Sequence, residues 1–417
     1  MNNSQQADIT NAILVSLDTG KHDYSESLDE LCELVKTANG NVVAIITQKR
    51  ENPDPRTILG SGKIQEIKQL LEENEEVKTV IFDNELTPTQ TKNLENILEC
   101  FVIDRTMLIL DIFAQRAHSK EGKLQVETAR LKYILPHLIG KHQRLSKLAG
   151  GIGTRGPGET KLETDRRYIK QRIAKLENDL KKLQDSRKSV TERRKKDNRL
   201  IVAIVGYTNS GKSTLLNSLS DSNVVARDRL FETLDPTSRN VRLPHGGEVL
   251  FIDTVGFIRN LPHSIIDAFK STLDEAINAD LILNVCDISN NDYINQKEIT
   301  ISTLEEIGAL APQLTVYNKI DKLPKAADFL LNSASSIAIS AKENQNLTPL
   351  LEKIEFELTK HFAKYIINIP FSNMSLISEI LESGRVVRFT DKENYREIEL
   401  LLNKNTALYD KIRNYLC

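Results

Sequence analysis

A glycine-rich segment directly after an apolar run is the strongest constraint on the fold. The residues LIVAIV at 200–205 are typical of a buried strand, and GYTNSGKST follows at 206–214. The spacing G-x-x-x-x-G-K-[ST] between a strand and a helix is the pattern of a phosphate-binding loop. Gly206 and Gly211 allow the backbone to turn its N–H groups towards phosphate oxygens. The sequence therefore predicts a nucleoside triphosphate site.

Two side chains at the end of this loop carry the expected chemistry. Lys212 supplies a positive charge to the β- and γ-phosphates, and Ser213 offers a hydroxyl to Mg²⁺. The helix that begins near Lys212 adds the positive end of its dipole. The loop pattern alone selects neither the base nor the purpose of hydrolysis.

A second motif, DTVG at 253–256, follows the apolar run 249–252. At this strand end the Asp253 carboxylate can hold Mg²⁺ through water, and the Gly256 amide can reach the γ-phosphate. The loop between the two motifs, LFETLDPT at 230–237, offers Thr233 and Thr237 as hydroxyl ligands for the metal. Chemistry does not choose between these threonines, and an ordinary surface loop remains an alternative.

The tetrapeptide NKID at 318–321 predicts the base. A carboxylate at Asp321 accepts hydrogen bonds from N1–H and the 2-amino group of guanine, and adenine lacks both donors. The tripeptide Ser340-Ala341-Lys342 follows the last strand and can place backbone N–H groups near the base carbonyl. Each short motif is weak alone, but four in this order at strand ends predict a guanine nucleotide.

Position 257 departs from the pattern of Ras-like GTPases, which place a glutamine there to orient the attacking water. Phe257 cannot bond to water, so we expect slow unaided hydrolysis and stimulation by a partner. The side chain also suits a simple place in the core.

Alternating strands and helices predict an α/β chain. We expect an N-terminal α/β domain at 1–135 with a largely parallel sheet, and a doubly wound, mostly parallel sheet at 200–364. A small α/β appendage follows at 365–417, with a strand at 365–370 and helices at 392–402 and 407–416. The predicted strands are Ala12–Leu17, Val42–Thr47, Val80–Phe82, Phe101–Asp104, Leu200–Val205, Val249–Asp253, Leu281–Cys286, Leu314–Asn318 and Ile337–Ser340.

Residues 136–199 predict a helical hairpin with a glycine-rich loop at 150–158. An apolar seam with coiled-coil spacing runs from Leu162 to Val190 and requires a partner helix. We expect the helix before the loop to pair with it antiparallel. Residues 141–199 hold 19 Lys and Arg against 8 Asp and Glu, in a chain of net charge −2. This block indicates either a polyanionic partner or a solvated helical face.

Composition excludes several classes of protein. No apolar run approaches the roughly twenty residues of a membrane span, and the polar N-terminus does not resemble a signal peptide. The four cysteines are scattered without a C-x-x-C pair, so we expect neither structural zinc nor disulfides. These features fit the cytoplasm.

Longer motifs outside the nucleotide domain carry a family resemblance. They are RTILGSGK at 56–63, DNELTPTQ at 83–90, DRT at 104–106 with the run to Phe113, and GGIGTRGPGETKLETDRR at 150–167. With the nucleotide motifs, they resemble the HflX family of the Obg–HflX group of ribosome-associated GTPases. The resemblance covers most of the chain.

The resemblance implies a P-loop GTPase that converts GTP to GDP and phosphate with Mg²⁺, with Thr233 as a metal ligand beside Ser213. It implies binding to the RNA of the large ribosomal subunit, and splitting or rescue of stalled ribosomes under stress. We expect a cytoplasmic monomer with no DNA partner and no integral membrane association. The residues expected to contact RNA phosphates are Arg155, Lys161, Arg166, Arg167, Lys170 and Arg172.

We expect Lys212, Thr233 and Gly256 to act in catalysis. The expected GTP contacts are Gly206, Tyr207, Thr208, Asn209, Ser210, Gly211, Lys212, Ser213, Thr214, Phe231, Glu232, Thr233, Leu234, Asp235, Asp253, Thr254, Val255, Gly256, Asn318, Lys319, Ile320, Asp321, Ser340, Ala341 and Lys342.

Other hypotheses remain open at this stage. The chain could be an Obg-like ribosome-assembly GTPase, an ATPase, or an RNA-binding protein that its nucleotide merely stabilises. GSGK at 60–63 resembles half a phosphate loop, although Thr57 and Ile64 break the template. A second nucleotide there would serve ATP-dependent RNA remodelling by the N-terminal domain.

Overall fold

The computed structural model describes most of the chain, in two compact units. The described residues are 11–20, 24–138, 157–196, 200–220, 230–231, 236–244, 247–259, 275–323, 333–360, 363–383, 385–402 and 407–416. The first unit comprises Met1–Leu183, Asp228–Asp235 and Arg259–Lys270, and the second comprises Gln184–Arg227, Pro236–Ile258 and Ser271–Cys417. Within the described ranges, no helix combines the length and apolarity needed to cross a membrane. The division into four domains expected from the sequence, at 1–135, 136–199, 200–364 and 365–417, stays a prediction.

The first unit contains a four-stranded parallel sheet in the order β2-β1-β3-β4. Its central strand β1 is buried along nearly its whole length, as an apolar strand covered on both faces should be. The strands found here agree with the four predicted. The elements are β1 (Asn11–Asp18), α1 (Tyr24–Thr37), β2 (Asn41–Lys49), α2 (Ser61–Glu73), β3 (Thr79–Phe82), α3 (Pro88–Leu98), β4 (Phe101–Asp104), α4 (Arg105–Arg116) and α5 (Lys120–His137).

Charged residues of the motifs at 83–90 and 104–106 hold this unit together at the ends of β3 and β4. Asp104 accepts hydrogen bonds from the N–H of Met107, at the start of α4, and from the hydroxyl of Tyr133. Buried Arg105 donates to Asp83 Oδ1 at 2.7 Å and forms a second ion pair with Glu30. A buried guanidinium needs such partners because an unpaired charge is costly to desolvate. These contacts give Asp83, Asp104 and Arg105 a structural role.

The long helix α6 (Pro157–Lys196) lies beside α5. Ile173 and Leu176 of its predicted seam are buried, which confirms the apolar face. The helix expected before the loop, at 136–149, lies outside the described residues beyond Leu138, so its antiparallel pairing with α6 stays a prediction. Arg172 pairs with Glu127, and five residues further along both helices Glu177 pairs with Lys132. The pairs advance in the same direction, so the helices run parallel here. A heptad seam requires a partner but does not fix its direction.

The second unit contains a six-stranded sheet in the order β10-β9-β8-β5-β7-β6. All neighbouring strands are parallel except β6, which pairs antiparallel with β7. The polar edge strand β6 was not predicted, because the sequence TSRNVR lacks an apolar run. The elements are β5 (Ile201–Gly206), α7 (Lys212–Leu219), β6 (Thr237–Arg242), β7 (Glu248–Asp253), β8 (Leu281–Asp287), α8 (Tyr293–Glu306), β9 (Gln313–Asn318), β10 (Ser336–Ala338) and α9 (Leu347–Thr359).

The C-terminal appendage is an antiparallel sheet in the order β11-β13-β12. The helix predicted at 392–402 is wrong, because the segment forms β13. Ile398, Leu400 and Leu402 are buried at every second position, which is the period of a strand. The predicted strand at 365–370 and the final helix are confirmed. The elements are β11 (Ala363–Pro370), α10 (Met374–Ser383), β12 (Arg385–Asp391), β13 (Tyr395–Leu402) and α11 (Ala407–Ile412).

Candidate functional site

The loop between β5 and α7 adopts a geometry that requires glycine at both ends. Gly206 has φ 150° and Gly211 has φ 91°. A Cβ on Gly206 would lie 2.2 Å from the carbonyl oxygen of Val285, and one on Gly211 would lie 2.3 Å from Asn318 Nδ2. Neither contact is compatible with a side chain, so the backbone must approach its neighbours closely here. This confirms the tight turn that a phosphate-binding loop needs.

Lys212 is folded back over this loop. Its Nζ donates to the carbonyl oxygens of Tyr207 at 2.8 Å and Gly206 at 3.2 Å, and the residue is 6% exposed. Burial lowers the pKa of Lys212 to about 8, an effect that the nearby Asp253 carboxylate opposes. Among the described residues the hydrogen-bond partners of Lys212 Nζ are backbone carbonyls, and an ammonium held in this way can take a stronger anionic partner. A triphosphate would supply that partner.

The donor set at the start of α7 fits a magnesium ion. Ser213 Oγ donates to Asp253 Oδ2 at 2.8 Å, which brings together the two side chains predicted to hold the metal. Hydroxyl and carboxylate oxygens are the ligands that Mg²⁺ prefers. Nearby, the buried hydroxyls of Thr208 and Ser210 have no hydrogen-bond partner among the described residues. The loop thus holds polar groups that the surrounding chain leaves available to a ligand.

The segment after β7 is tied to the phosphate loop by its backbone. The N–H of Phe257 donates to the Gly206 carbonyl at 3.1 Å, and Thr208 N–H donates to the Phe257 carbonyl at 2.8 Å. A Cβ on Gly256 would lie 2.9 Å from Lys212 Nζ and from Thr208 Cα, so this glycine lets the two segments meet. Phe257 is 3% exposed, which confirms its place in the core. Its side chain offers no hydrogen bond to an attacking water.

The predicted base-reading residues meet at the ends of β9 and β10. Asn318 is buried and bridges two loops: its Nδ2 donates to the Ser210 carbonyl, and its Oδ1 accepts from Ala341 N–H at 3.0 Å. Ser340 Oγ donates to Asp321 Oδ1 at 2.6 Å. Asp321 itself is exposed, and Ser340 fixes the direction of its carboxylate. Asn318 therefore ties the phosphate loop to the segment after β10, and Asp321 is the exposed carboxylate of this cluster.

Asp287, at the end of β8, belongs to the same cluster and was missed from the sequence. Its Oδ2 pairs with Lys319 Nζ at 2.7 Å, and Lys319 also donates to the Asn209 carbonyl at 2.8 Å. The pair holds the lysine stem across the phosphate loop. The signal was available, because Asp287 follows an apolar parallel strand at the sheet edge where the other site residues lie.

The loop at 230–237 is described only in part. Glu232, Thr233, Leu234 and Asp235 lie outside the described residues, so the choice of Thr233 as a metal ligand stays a prediction. Thr237 begins β6, in register with Asp253 of β7. Phe231 is buried in the first unit, where its ring packs edge-on against Phe113 with centroids 4.6 Å apart. In the same unit, Arg259 pairs with Glu26 at 2.5 Å.

The predicted RNA contacts on α6 fall into two groups. Arg166, Arg167 and Lys170 are exposed, whereas Arg172 forms an ion pair with Glu127 at 2.7 Å. Arg155 and the side chain of Lys161 lie outside the described residues. The structure therefore leaves three of these cations on the surface and gives one a partner within the chain.

The glycines at 60–63 do not form a second phosphate loop in this structure. Gly60 has φ −72°, and its N–H donates to Gln48 Oε1. A Cβ on Gly62 would meet nothing within 4 Å, and Lys63 pairs with Glu66. The segment therefore lacks the forced glycine geometry of residues 206–211, and the contacts give the second-nucleotide hypothesis no support.

Three family descriptions match successive parts of the chain. Residues 25–114 match the "GTP-binding GTPase N-terminal" family, and residues 116–194 match the "GTP-binding GTPase Middle Region". Residues 201–319 match the "50S ribosome-binding GTPase" family. The third match covers the phosphate loop, the DTVG motif and the start of NKID.

Curated relatives match nearly the whole chain. The protein GTPase HflX of Caldanaerobacter subterraneus subsp. tengcongensis is 45% identical over 97% of this chain and 93% of its own length. GTPase HflX of Escherichia coli K12 is 40% identical over 86% of this chain and 85% of its own length. A crystal structure of the SsGBP and GDP complex is 30% identical, with TM-score 0.49, over 84% of this chain and 99% of that chain.

Proposed function

The chain belongs to the HflX family of GTPases, and from this premise we propose that it uses GTP to act on the large ribosomal subunit. The reaction is hydrolysis of GTP to GDP and phosphate. The proposed role is the splitting, rescue or recycling of ribosomes under stress in the cytoplasm. A single observation carries the chemical part of the proposal. Lys212 and Ser213, at the start of α7, cluster with Asp253 at the end of β7.

The side chains divide the work of hydrolysis. Lys212 would move from its two carbonyl partners to the β- and γ-phosphates and stabilise negative charge in the transition state. Bound by Ser213 and, through water, by Asp253, Mg²⁺ would neutralise phosphate charge. The Gly256 N–H would bond the γ-phosphate, which its approach to Lys212 makes possible. Thr233 is proposed as a further metal ligand.

Selectivity for guanine follows from the carboxylate at Asp321. Its two oxygens can accept hydrogen bonds from N1–H and the 2-amino group of the base, and the hydroxyl of Ser340 holds the carboxylate in one orientation. Adenine would leave a charged acceptor without donors, which is costly in a pocket built for them. Asn318 supports this reading by fixing the loops on both sides of the base.

The proposal also assigns the partner a catalytic role. Buried Phe257 stands in the sequence where Ras-like GTPases carry the glutamine that orients the attacking water, and it has no polar atom. The missing group would come from the ribosome, so that hydrolysis is timed by binding. Two observations support a ribosomal partner: residues 201–319 match a family described as "50S ribosome-binding GTPase", and α6 carries exposed cations.

A light-scattering experiment on intact ribosomes tests the proposed role. Purified chain is added with GTP, with a non-hydrolysable GTP analogue, or with GDP, and the dissociation of subunits is followed in time. We expect dissociation with GTP and with the analogue, and little with GDP. Equal dissociation with all three nucleotides, or none with any, would contradict the proposal.

A further inference from the structure

A row of side chains on α6 has the chemistry of a surface for unpaired RNA bases. Tyr168, Gln171, Lys175 and Lys182, here called the Tyr168 row, are all exposed. Residues seven apart on a helix lie almost in line, about 10 Å from each other. Tyr168, Lys175 and Lys182 have this spacing, and Gln171 lies between the first two.

The row lies on the side of the helix that is turned away from its apolar face. Ile173 and Leu176 are buried against the first unit, so they fix which side of α6 faces inward. When residues are placed 100° apart, Arg166 and Lys170 lie on the other flank of the helix, and Arg167 lies next to Gln171. The helix thus presents cations on two flanks, and only the Tyr168 row contains an aromatic ring.

The side chain of Tyr168 is unusually exposed to solvent. Tyr168 is 68% exposed, against 43% for Tyr24 at the start of α1. A tyrosine offers a large, rigid surface with a polar tip, and such rings are favoured where a partner covers them. On a basic helix, the fitting partner is a nucleobase, because every base has a face that can stack on an aromatic ring.

The charges beside the ring favour a polyanion. Within the described part of the chain, Lys175 has no ion pair, and the nearest acid to Lys182 is Asp179 at 3.7 Å between two exposed groups. Such a surface pair stabilises the fold by little. Both ammonium groups therefore remain available to phosphates, and Gln171 can bond a base edge or a phosphate. Cations and a stacking ring together are typical of single-stranded RNA recognition.

We propose that Tyr168 stacks on an unpaired base of ribosomal RNA while Lys175 and Lys182 bind the phosphates on either side of it. This proposal rests on the proposed function, and it names the base-contacting residue of that interaction. The lysines supply affinity that depends on salt, and the ring supplies affinity that does not. The two contributions are therefore separable by experiment.

The test is sedimentation of the full chain, loaded with a non-hydrolysable GTP analogue, with purified large ribosomal subunits at several salt concentrations. We expect Tyr168→Ala to weaken binding about 5- to 100-fold with an unchanged salt slope. Tyr168→Phe should bind as the unsubstituted chain does, because phenylalanine keeps the stacking face. Lys175→Gln should reduce the salt slope by about 0.7 to 0.9.

Tyr24→Ala is the matched control, an exposed tyrosine at the start of another helix, and it should leave binding unchanged. Circular dichroism checks that the variants fold. We expect them to fold because alanine is a good helix former at an exposed position. Wild-type affinity of Tyr168→Ala would overturn the proposal, as would binding that resists removal of the accessible RNA by ribonuclease, which would indicate a protein partner. Failure of the unsubstituted chain to bind would instead overturn the proposed function.

Discussion

The nucleotide site and helix α6 differ in how far their charged groups are exposed to solvent. At the nucleotide site, Lys212 and Asp253 are buried, and each makes hydrogen bonds to neighbouring loops or side chains. On α6, Arg166, Arg167 and Lys170 are exposed. A buried charge must be positioned before the ligand arrives, because desolvation is expensive. A solvated cation can instead adapt to a large partner.

This difference separates two kinds of recognition. The pocket selects one small molecule by geometry, so a single substitution should have a large effect. In the proposed function the helix attracts a polyanion through several weak contacts, so single substitutions should have small effects that depend on salt. The following substitutions test whether the contrast holds.

The largest expected effect is on phosphate chemistry. Lys212→Ala removes the buried charge that folds over the phosphate loop, and GTP turnover should fall about 10²- to 10³-fold. Steady-state phosphate release in the presence of large subunits measures this. Lys360→Ala, at an exposed lysine near the end of α9, is the control and should leave turnover unchanged. A residual rate within tenfold of the unsubstituted chain would remove Lys212 from the catalytic machinery.

Base selectivity should be the next most sensitive property. Asp321→Asn replaces an acceptor of two hydrogen bonds by an amide, so GTP affinity should fall about 10²-fold and xanthosine triphosphate should bind better than GTP. Equilibrium binding of fluorescent nucleotides reports both. Ser340→Ala should cost only about tenfold, because it removes one bond to the carboxylate and leaves the carboxylate in place. Full GTP affinity of Asp321→Asn would show that another group reads the base.

A substitution of Phe257 tests whether the chain itself can supply the side chain that orients the attacking water. Phe257→Gln introduces the amide that other GTPases use, but the side chain is buried. The substitution should lower the free energy of unfolding by about 3 kcal/mol or more and leave unaided hydrolysis slow. Thermal unfolding and single-turnover hydrolysis measure the two effects. A clear gain in rate by the purified variant would mean that position 257 does face the attacking water.

The smallest effects should come from α6, and two neighbouring cations there give a matched pair. Lys170→Gln removes an exposed charge, whereas Arg172→Gln removes one already paired with Glu127. We expect Lys170→Gln to reduce the salt slope of large-subunit binding by up to about 0.9, and Arg172→Gln to reduce it less. Equal slopes for the two variants would argue that the ion pair opens when the subunit binds.

The sequence predicts the site residues that belong to a motif better than those that do not. Motifs at strand ends predicted that Lys212, Ser213, Asp253 and Asn318 lie near one another, and the structure brings them together because a parallel sheet gathers the carboxyl ends of its strands at one edge. Asp287 lies by the same rule at the same edge, but a single aspartate has no motif to mark it. Burial of Phe257 required the three-dimensional packing, since a phenylalanine after a loop glycine fits either the core or the site.

The secondary-structure prediction was wrong where the periods of a helix and a strand compete. YREIELLL at 395–402 contains good helix formers, and the alternating burial of Ile398, Leu400 and Leu402 became visible only beside β11 and β12. Tertiary pairing overrides local preference in such a segment. The direction of α6 beside α5 was equally hidden, because the apolar seam is the same for a parallel or an antiparallel partner.

The proposed function requires a GTP site that is nearly complete in this chain and that hydrolyses GTP slowly until the large ribosomal subunit binds. GTP turnover by the purified chain, measured alone and with large subunits, tests it most directly. We expect slow turnover alone and at least about a tenfold increase with large subunits. Deletion of residues 150–158 should abolish the increase and leave the basal rate unchanged. Fast turnover by the chain alone, or no response to large subunits, would contradict the claim.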